Sequence, residues 1–155
     1  MINCRRLLLP IIIGLVVLLV GGLVWFCYWR QPCFQGGYQL DLPDGQTAEV
    51  SLLTTKKQKQ LGFSHQEQPC LDCGLLFVWP VLSQPKMVMR EMLFSLDFVW
   101  LRDRQIVQLT ENVVPEDKQP LTNYQPSQPI DVVLEVPAGF IQRHNLQVGQ
   151  SLNWR

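Results

Sequence analysis

Basic residues do not outnumber acidic residues in this chain, and this balance argues against nucleic-acid binding. Lys and Arg number 13 and Asp and Glu number 13, so the formal net charge is zero. Three of the basic residues lie before residue 31, whereas all the acidic residues lie after it, which leaves residues 31–155 with a net charge of −3. A weakly acidic domain has no electrostatic footprint for a phosphate backbone. We therefore expect no nucleic-acid partner.

Charge of either sign is absent from Leu7 to Tyr28, a run of 22 apolar and aromatic residues. At roughly 1.5 Å per residue such a helix is about 33 Å long, which matches a bilayer core of about 30 Å. A soluble domain of this size has no core large enough to surround such a helix on every side. The run predicts one transmembrane helix, and the membrane is thus the first expected partner.

A small-x-small cleavage site is also missing after the apolar run, where the sequence reads VWFCYWRQPCF and the first alanine is Ala48. Large residues before Cys27 fit a lipoprotein box poorly, and Trp25, Tyr28 and Trp29 are typical of an interfacial aromatic belt. Arg5 and Arg6 precede the run and Arg30 alone follows it. The positive-inside rule then predicts an uncleaved, single-pass anchor in the cytoplasmic membrane, with residues 31–155 outside.

Internal repeats and long apolar runs are absent from the rest of the chain. Short segments rich in Val, Leu, Phe and Trp (GLLFVW, FVWLRDRQIVQL, DVVLEV) favour strands. One short helix is expected in TTKKQKQLGF, capped by Thr54 or Thr55, with Lys57 and Gln60 outward and Gly62 at its end. We predict a cytoplasmic tip and anchor over 1–30, a linker and first strand over 31–45, and a compact mostly-β domain over 46–155.

Four blocks of the exterior domain resemble the family named domain of unknown function 192. They are LGFSH, GLLFVW, MVMREMLFSLDFVWLRDRQIV and DVVLEVPAGFIQRHNLQVGQSL, and the similarity runs from about residue 46 to residue 153. The resemblance implies a small, mostly-β, barrel-like fold and implies no reaction. Met89, Arg90 and Asp97 stand where the family has Met, Lys and Asp, and Leu134, Glu135, Ala138 and Gly139 match its Leu-Glu-Val-Asn-Ala-Gly element.

This chain departs from the family pattern in the same region. Val88 replaces an aromatic residue, Glu91 an asparagine, Met92 a threonine and Pro137 an asparagine. If the family's Trp-Met-Lys-Asn-Thr patch binds a ligand, half of that patch is altered here.

Arg90, Glu91 and Asp97 are the only charged residues between Lys86 and Arg102. A carboxylate buried in such an apolar stretch needs hydrogen bonds or a cation, and Arg90 can pair with Asp97 or with Glu135. The pair either fixes the register of two strands or forms a polar patch that holds a ligand. General acid and base catalysis by these carboxylates is a third interpretation, although no nucleophile accompanies them.

Cys70 and Cys73 form a Cys-x-x-Cys pair just before the GLLFVW strand. Outside the cytoplasm cysteines tend to be oxidised, so a structural disulfide between them is favoured, with Cys33 as the alternative partner of either. A thioredoxin-like pair needs a helix N-terminus, whereas here a strand follows and Asp72 adds negative charge. A thiol-redox module is the runner-up function.

Histidine is scarce, with only His65 and His144, both expected on the surface. They lie 79 residues apart, which does not fit the paired spacing of a structural zinc site. We therefore expect no metal and no cofactor.

The leading hypothesis is a non-catalytic binding or scaffolding module displayed outside the membrane. Its expected partner is an envelope protein or an envelope polymer, docking near Arg90 and the loop around Tyr124, with Met89, Asp97 and Glu135 as the further candidate binding residues. An enzyme that acts on a small polar substrate is the other alternative, and it requires Arg90, Asp97 and Glu135 to converge in one open pocket.

Overall fold

The computed structural model describes residues 37–66 and 70–155. The predicted transmembrane run over residues 7–28, its flanking arginines and Cys33 lie outside the described residues. Within residues 37–66 and 70–155, no helix has the length and apolar character needed to cross a membrane.

Seven strands and two short helices make up the described part of the chain. The strands are β1 (Tyr38–Asp41), β2 (Thr47–Leu53), β3 (Cys73–Ser83), β4 (Leu96–Arg102), β5 (Gln105–Val113), β6 (Ile130–Pro137) and β7 (Asn153–Trp154). The helices are α1 (Lys56–Leu61) and α2 (Phe140–Arg143).

All seven strands belong to one sheet in the order β5-β4-β6-β3-β2-β1-β7. The β2–β3 pair is parallel and the other pairs are antiparallel. The two ends of this order approach each other, because Gln105 at the start of β5 forms an isolated bridge with Ser151 just before β7. The expectation of a mostly-β, barrel-like domain with a short helix is confirmed.

The central strands are apolar along their whole length because both faces of the sheet are covered. Every residue of β4 except Arg102 is buried, and β6 is nearly as buried. One face packs into a first core around Leu76, Val99 and Leu134, which α2 also covers. The opposite face packs into a second core around Phe77 and Phe98, which the segment 85–92 covers. Continuous burial of this kind replaces the alternation of a strand that has one solvated face.

The short helix α1 forms where the sequence predicts it, because its two ends are capped. Thr55 is the N-cap: its Oγ1 accepts a hydrogen bond from the Gln58 N–H at 3.3 Å, and the Gln58 side chain accepts one from the Thr55 N–H at 3.0 Å. This reciprocal arrangement is a capping box. The Gly62 N–H closes the other end by donating to the Gln58 carbonyl at 3.0 Å. Lys57 and Gln60 are exposed, as expected.

The strand β3 runs from Cys73 to Ser83 and so extends beyond the predicted GLLFVW segment at both ends. Pro80 does not close the strand, which runs on to Ser83, because the register with β6 shifts between Val78 and Ser83 and so the ladder there needs no N–H from residue 80. Near the other end, Gly74 lies so close to β6 that a Cβ would meet the Glu135 carbonyl at 2.9 Å. Glycine is therefore required where β3 enters the sheet.

The end of the chain is less regular than its alternating pattern suggests. In the LQVGQSLNW segment, a turn at Val148 and Gly149 and an isolated bridge at Ser151 precede the strand, which covers only Asn153–Trp154. The helix α2 was not predicted, since its four residues are too few to show a helical period.

Candidate functional site

A cavity of about 620 Å³ opens on the face of the sheet that carries the second core. It is lined by α1 and the residues that flank it, by Phe77 and Trp79 of β3, by the segment 85–92, and by Glu135 of β6. We call this cavity the Glu135 pocket. It brings two of the predicted binding residues, Arg90 and Glu135, into one site.

Glu135 is buried, with 5% of its surface exposed. On β6 it lies between Leu75 of β3 and Phe98 of β4, so its side chain enters an apolar layer. Its carboxyl group has no hydrogen bond or ion pair to any residue in the described part of the chain. Burial raises the pKa of Glu135 from its ordinary value of 4.5 to about 8, because the charged form loses its hydration. At neutral pH the carboxyl group is therefore mainly uncharged and can donate a hydrogen bond.

Gly62 leaves the space that the Glu135 carboxyl group needs. A Cβ at residue 62 would lie 3.5 Å from Glu135 Oε2 and 3.4 Å from Cζ of Phe77. The residue also has a φ of +48° and a ψ of −132°, a conformation that glycine adopts at low cost. One residue thus ends α1 and opens the inner part of the pocket.

Four basic residues surround the opening, and we call them the basic rim. Lys56, Lys86 and Arg90 are exposed, whereas Lys59 is half-buried. The Lys59 Nζ donates to the Val78 carbonyl and lies 4.5 Å from the ring centroid of Trp79. Partial burial lowers the pKa of Lys59, since desolvation disfavours its charge. The sequence had indicated Arg90 alone among these four, because lysines on a short helix are usually solvated surface residues.

Alternate residues of the segment 88–92 face the pocket. Val88, Arg90 and Met92 line it, whereas Met89 and Glu91 do not. Met89 is fully buried in the second core, and exposed Glu91 pairs with His65 at 3.2 Å. The three positions that face the cavity are therefore the first, third and fifth of the family's Trp-Met-Lys-Asn-Thr element, and two of them differ from it in this chain.

Asp97 lies on the opposite face of the sheet from Glu135. In the β4–β6 register Asp97 pairs with Val136 and Phe98 pairs with Glu135, so the two carboxylates point in opposite directions. Asp97 accepts hydrogen bonds from the backbone N–H of Asn112 at 2.8 Å and of Ile141 at 3.1 Å. The expected pairing of Arg90 with Asp97 or Glu135 is wrong, because neither ion pair forms. The enzyme alternative required Arg90, Asp97 and Glu135 to converge in one pocket. They do not, because Asp97 lies on the other face of the sheet.

Tyr124 lies outside the Glu135 pocket and has a structural partner. Its hydroxyl donates to Glu116 Oε1 at 3.1 Å, and its backbone forms a bridge with Met87. Burial and the neighbouring Glu116 raise the pKa of the Tyr124 phenol. These contacts connect the loop before β6 to one wall of the pocket.

Cys70 and Cys73 are joined in a disulfide at the entrance to β3. The turn between them is held by α2: Arg143 donates to the Leu71 carbonyl at 2.9 Å, and Asp72 Oδ1 lies 3.2 Å from His144 Nε2. No helix begins at either cysteine, so the turn offers no helix N-terminus to lower the pKa of a thiol. The thiol-redox alternative stays a prediction.

His144 is not on the surface, and that expectation is wrong. It is 1% exposed, lies 2.7 Å from Asp44 Oδ2 through Nδ1, and packs its ring 4.4 Å from that of Phe140. The hydrogen bond from His144 is the main reason why the pKa of Asp44 is lowered. The spacing of Phe140 and His144, four residues apart, could have signalled this burial. His65, by contrast, is exposed as expected.

Within residues 37–66 and 70–155, no cluster of three or more His, Cys, Asp or Glu side chains has the proximity needed to hold a metal ion.

A family model matches residues 40–154, and its family is DUF192, described as an uncharacterised ACR. No curated protein matches the chain. Two solved structures are similar to it. One, from Sinorhizobium meliloti 1021, is described as a proposed transcription regulator; it is 26% identical, with a TM-score of 0.67 over 76% of this chain and 91% of that one. The other, a protein of unknown function from Novosphingobium aromaticivorans DSM 12444, is 21% identical, with a TM-score of 0.68 over 76% and 83% of the two chains.

Proposed function

The chain belongs to the DUF192 family, and from this premise we propose that its β-domain is a non-catalytic binding module whose site is the Glu135 pocket. One observation supports this most strongly. A mainly uncharged carboxyl group, without a hydrogen-bond partner among the described residues, faces an open cavity of about 620 Å³. Buried polar residues are normally hydrogen-bonded. A bound ligand that hydrogen-bonds to Glu135 supplies the partner that the described residues do not.

The chemistry of the pocket favours binding over catalysis. Among the described residues that line it there is no histidine and no cysteine. The Ser64 hydroxyl donates to the Arg90 carbonyl at 3.1 Å, and the Lys59 Nζ donates to the Val78 carbonyl. Asp97, the second carboxylate that an acid–base mechanism would use, accepts hydrogen bonds from the backbone on the other face of the sheet. These groups are thus engaged with the backbone and are not hydrogen-bonded to Glu135 as a nucleophile or a second acid–base group would be.

The module is displayed outside the cytoplasmic membrane on an uncleaved anchor in residues 7–28. The uncharged apolar run and the distribution of Arg5, Arg6 and Arg30 support this placement. The proximity of Cys70 and Cys73, whose Cα atoms lie 5.5 Å apart, is compatible with it, because a disulfide between them would persist in an oxidising compartment. The S. meliloti protein is described as a proposed transcription regulator. Direct binding of nucleic acid fits this chain poorly, because residues 31–155 carry a net charge of −3.

Binding in the pocket is tested with the full chain in phosphatidylcholine nanodiscs and a set of fluorinated fragments that includes neutral, cationic and anionic members. We expect ¹⁹F resonances of several fragments to broaden with the wild type and to sharpen again with Val88→Trp, which fills the pocket wall. Val148→Trp is the matched control, because Val148 is exposed and does not line the pocket. If no fragment distinguishes Val88→Trp from the wild type, the pocket is not a binding site.

The orientation is tested separately with reporter fusions after Arg155. Alkaline phosphatase, which is active only outside the cytoplasm, should be active, and a fused green fluorescent protein exported by the same route should remain dark. The reverse pattern would place the domain in the cytoplasm. Arg5→Glu with Arg6→Glu should reduce the phosphatase activity, because these charges retain the N-terminus inside.

A further inference from the structure

We infer that the ligand of the Glu135 pocket is a small organic acid with an apolar body, bound as its anion by the basic rim and hydrogen-bonded by Glu135. This inference rests on the proposed function and assigns a ligand class to the same site. The proposed function and the ligand class are tested separately. The fragment test detects binding of a ligand of any charge, whereas the titrations described below compare ligands that differ in charge.

The charges that face the cavity all have one sign. Lys56, Lys59, Lys86 and Arg90 line it, and Glu135 is its only acidic residue among those described. Glu91, the acidic neighbour of Arg90, does not line the pocket and pairs with exposed His65. Four cations around one opening attract an anion and repel a cation.

The inner end of the cavity is suited to the same ligand. An ionised Glu135 would repel an anion, but the uncharged carboxyl group offers it one O–H donor. Hydrogen bonds from a neutral donor to a charged acceptor are stronger than those between two neutral groups. An amine could instead pair with ionised Glu135, but it would have to pass the basic rim and remain beside it.

The walls between the rim and Glu135 require an apolar body. Phe77 and Trp79 stack with ring centroids 6.3 Å apart, and Met87 and Met92 line the cavity from the segment 85–92. Methionine side chains adapt to ligands of irregular shape, and aromatic rings supply large apolar contact areas. Inorganic anions such as phosphate would leave these walls uncovered.

Three isosteric probes test the ligand class: cyclohexanecarboxylate, cyclohexylmethanol and cyclohexylmethylamine, each titrated into the full chain in phosphatidylcholine nanodiscs. Binding is measured by calorimetry against empty nanodiscs and by the emission of Trp79, with Trp79→Phe to identify that signal. We expect the carboxylate to bind at least about tenfold more tightly than the alcohol, and the amine to bind most weakly. The tenfold ratio between carboxylate and alcohol corresponds to one charge interaction of about 1.4 kcal/mol.

Variants then separate the rim from Glu135. Lys86→Ala and Arg90→Ala should each weaken the carboxylate about threefold to tenfold, whereas Lys57→Ala should not, because Lys57 is exposed on α1 and does not line the pocket. Glu135→Gln keeps a neutral donor and should retain binding at neutral pH. Glu135→Leu, which removes the donor, should weaken the carboxylate more than the alcohol.

The dependence of binding on pH provides an independent readout. Between pH 6.5 and pH 9 the affinity for the carboxylate should fall about tenfold in the wild type as Glu135 ionises. It should fall less than threefold in Glu135→Gln, which lacks this carboxyl group but keeps the basic rim and the nearby His65–Glu91 pair. Equal affinities for acid and alcohol, preference for the amine, or no binding of any probe would each overturn the inference. The fragment result would still decide whether the pocket binds ligands at all.

Discussion

Asp97 and Glu135 are two buried carboxylates on neighbouring strands, and the protein uses them in opposite ways. Asp97 is 1% exposed and both its oxygens accept hydrogen bonds from backbone N–H groups. Glu135 is 5% exposed and has no partner in the part of the chain that the structure describes. Asp97 pairs with Val136, the neighbour of Glu135, so the two carboxylates lie on opposite faces of the sheet, Asp97 against α2 and Glu135 in the pocket. The comparison shows that burial alone does not identify a functional carboxylate, whereas burial without a partner in an open cavity does.

The largest expected effect comes from removing the carboxylate that has partners. Asp97→Ala should lower the free energy of unfolding by about 3 kcal/mol, because two hydrogen bonds to a charged acceptor are lost and the buried Ile141 N–H is left unsatisfied. Urea unfolding of the full chain in nanodiscs, followed by tryptophan fluorescence, measures the loss. Asp97→Asn should lose about half as much, since its single carbonyl oxygen can serve only one donor well. A loss below about 1 kcal/mol for Asp97→Ala would contradict the structural role.

The next effect is the dependence of stability on pH that Glu135 produces. The folded protein holds the Glu135 proton up to about pH 8, whereas the unfolded chain releases it near pH 4.5. Unfolding therefore releases a proton within this window, and the free energy of unfolding falls as the pH rises through it. From pH 5 to pH 7.5 the fall should be on the order of 3 kcal/mol, at 1.36 kcal/mol per pH unit.

Glu135→Gln is the control for this pH dependence. All other titrating groups remain in that variant, so the difference between the wild type and Glu135→Gln isolates the contribution of Glu135. A difference that stays constant between pH 5 and pH 7.5 would show that Glu135 is ionised in the folded protein, as a partnered carboxylate would be.

A smaller effect, opposite in sign to that of Asp97→Ala, is expected when Glu135 is made apolar. Glu135→Met should raise the free energy of unfolding at pH 7 by about 1 to 2 kcal/mol, because an unpaired buried carboxyl group is replaced by a side chain of similar length that suits the second core. The same variant should lose binding of cyclohexanecarboxylate. Stabilisation with loss of binding is the signature of a functional residue that the fold tolerates at a cost. Destabilisation would indicate that Glu135 has a structural partner.

The smallest effect concerns the irregular part of β5 that Asp97 stabilises. Asn112 has a φ of +52°, at a point where the β4–β5 register shifts and its N–H donates to Asp97. Asn112→Ala should lower the free energy of unfolding by about 1 kcal/mol, since alanine resists this conformation, whereas Asn112→Gly should change it by only a few tenths. Thermal unfolding of the two variants measures the difference. Equal losses in both would mean that the Asn112 side chain, and not its backbone, stabilises this region.

Much of the fold could be predicted because its signals are local. The runs GLLFVW, FVWLRDRQIVQL and DVVLEV contain most of the central strands, and the Arg102-Asp103-Arg104 turn connects β4 to β5. Each cap of α1 joins residues that are three or four positions apart. The site could be predicted only in part. Asp97 and Glu135 look alike in sequence, and their roles depend on a pairing between strands 38 residues apart. Lys59 and Gly62 line the pocket only because α1 packs near β3 and β6, which are distant in the sequence.

The most direct test of the account is the protonation state of Glu135 itself. Isotope-edited infrared spectra of the full chain, labelled with ¹³C in the glutamate carboxyl groups, should show a protonated carboxyl band at pH 7 that is absent from Glu135→Gln. We expect this band to titrate with a midpoint near 8. A midpoint near 4.5, or a band at pH 7 that persists in Glu135→Gln, would show that the Glu135 carboxyl group is ionised and partnered, and would contradict its role as the free hydrogen-bond donor of the pocket.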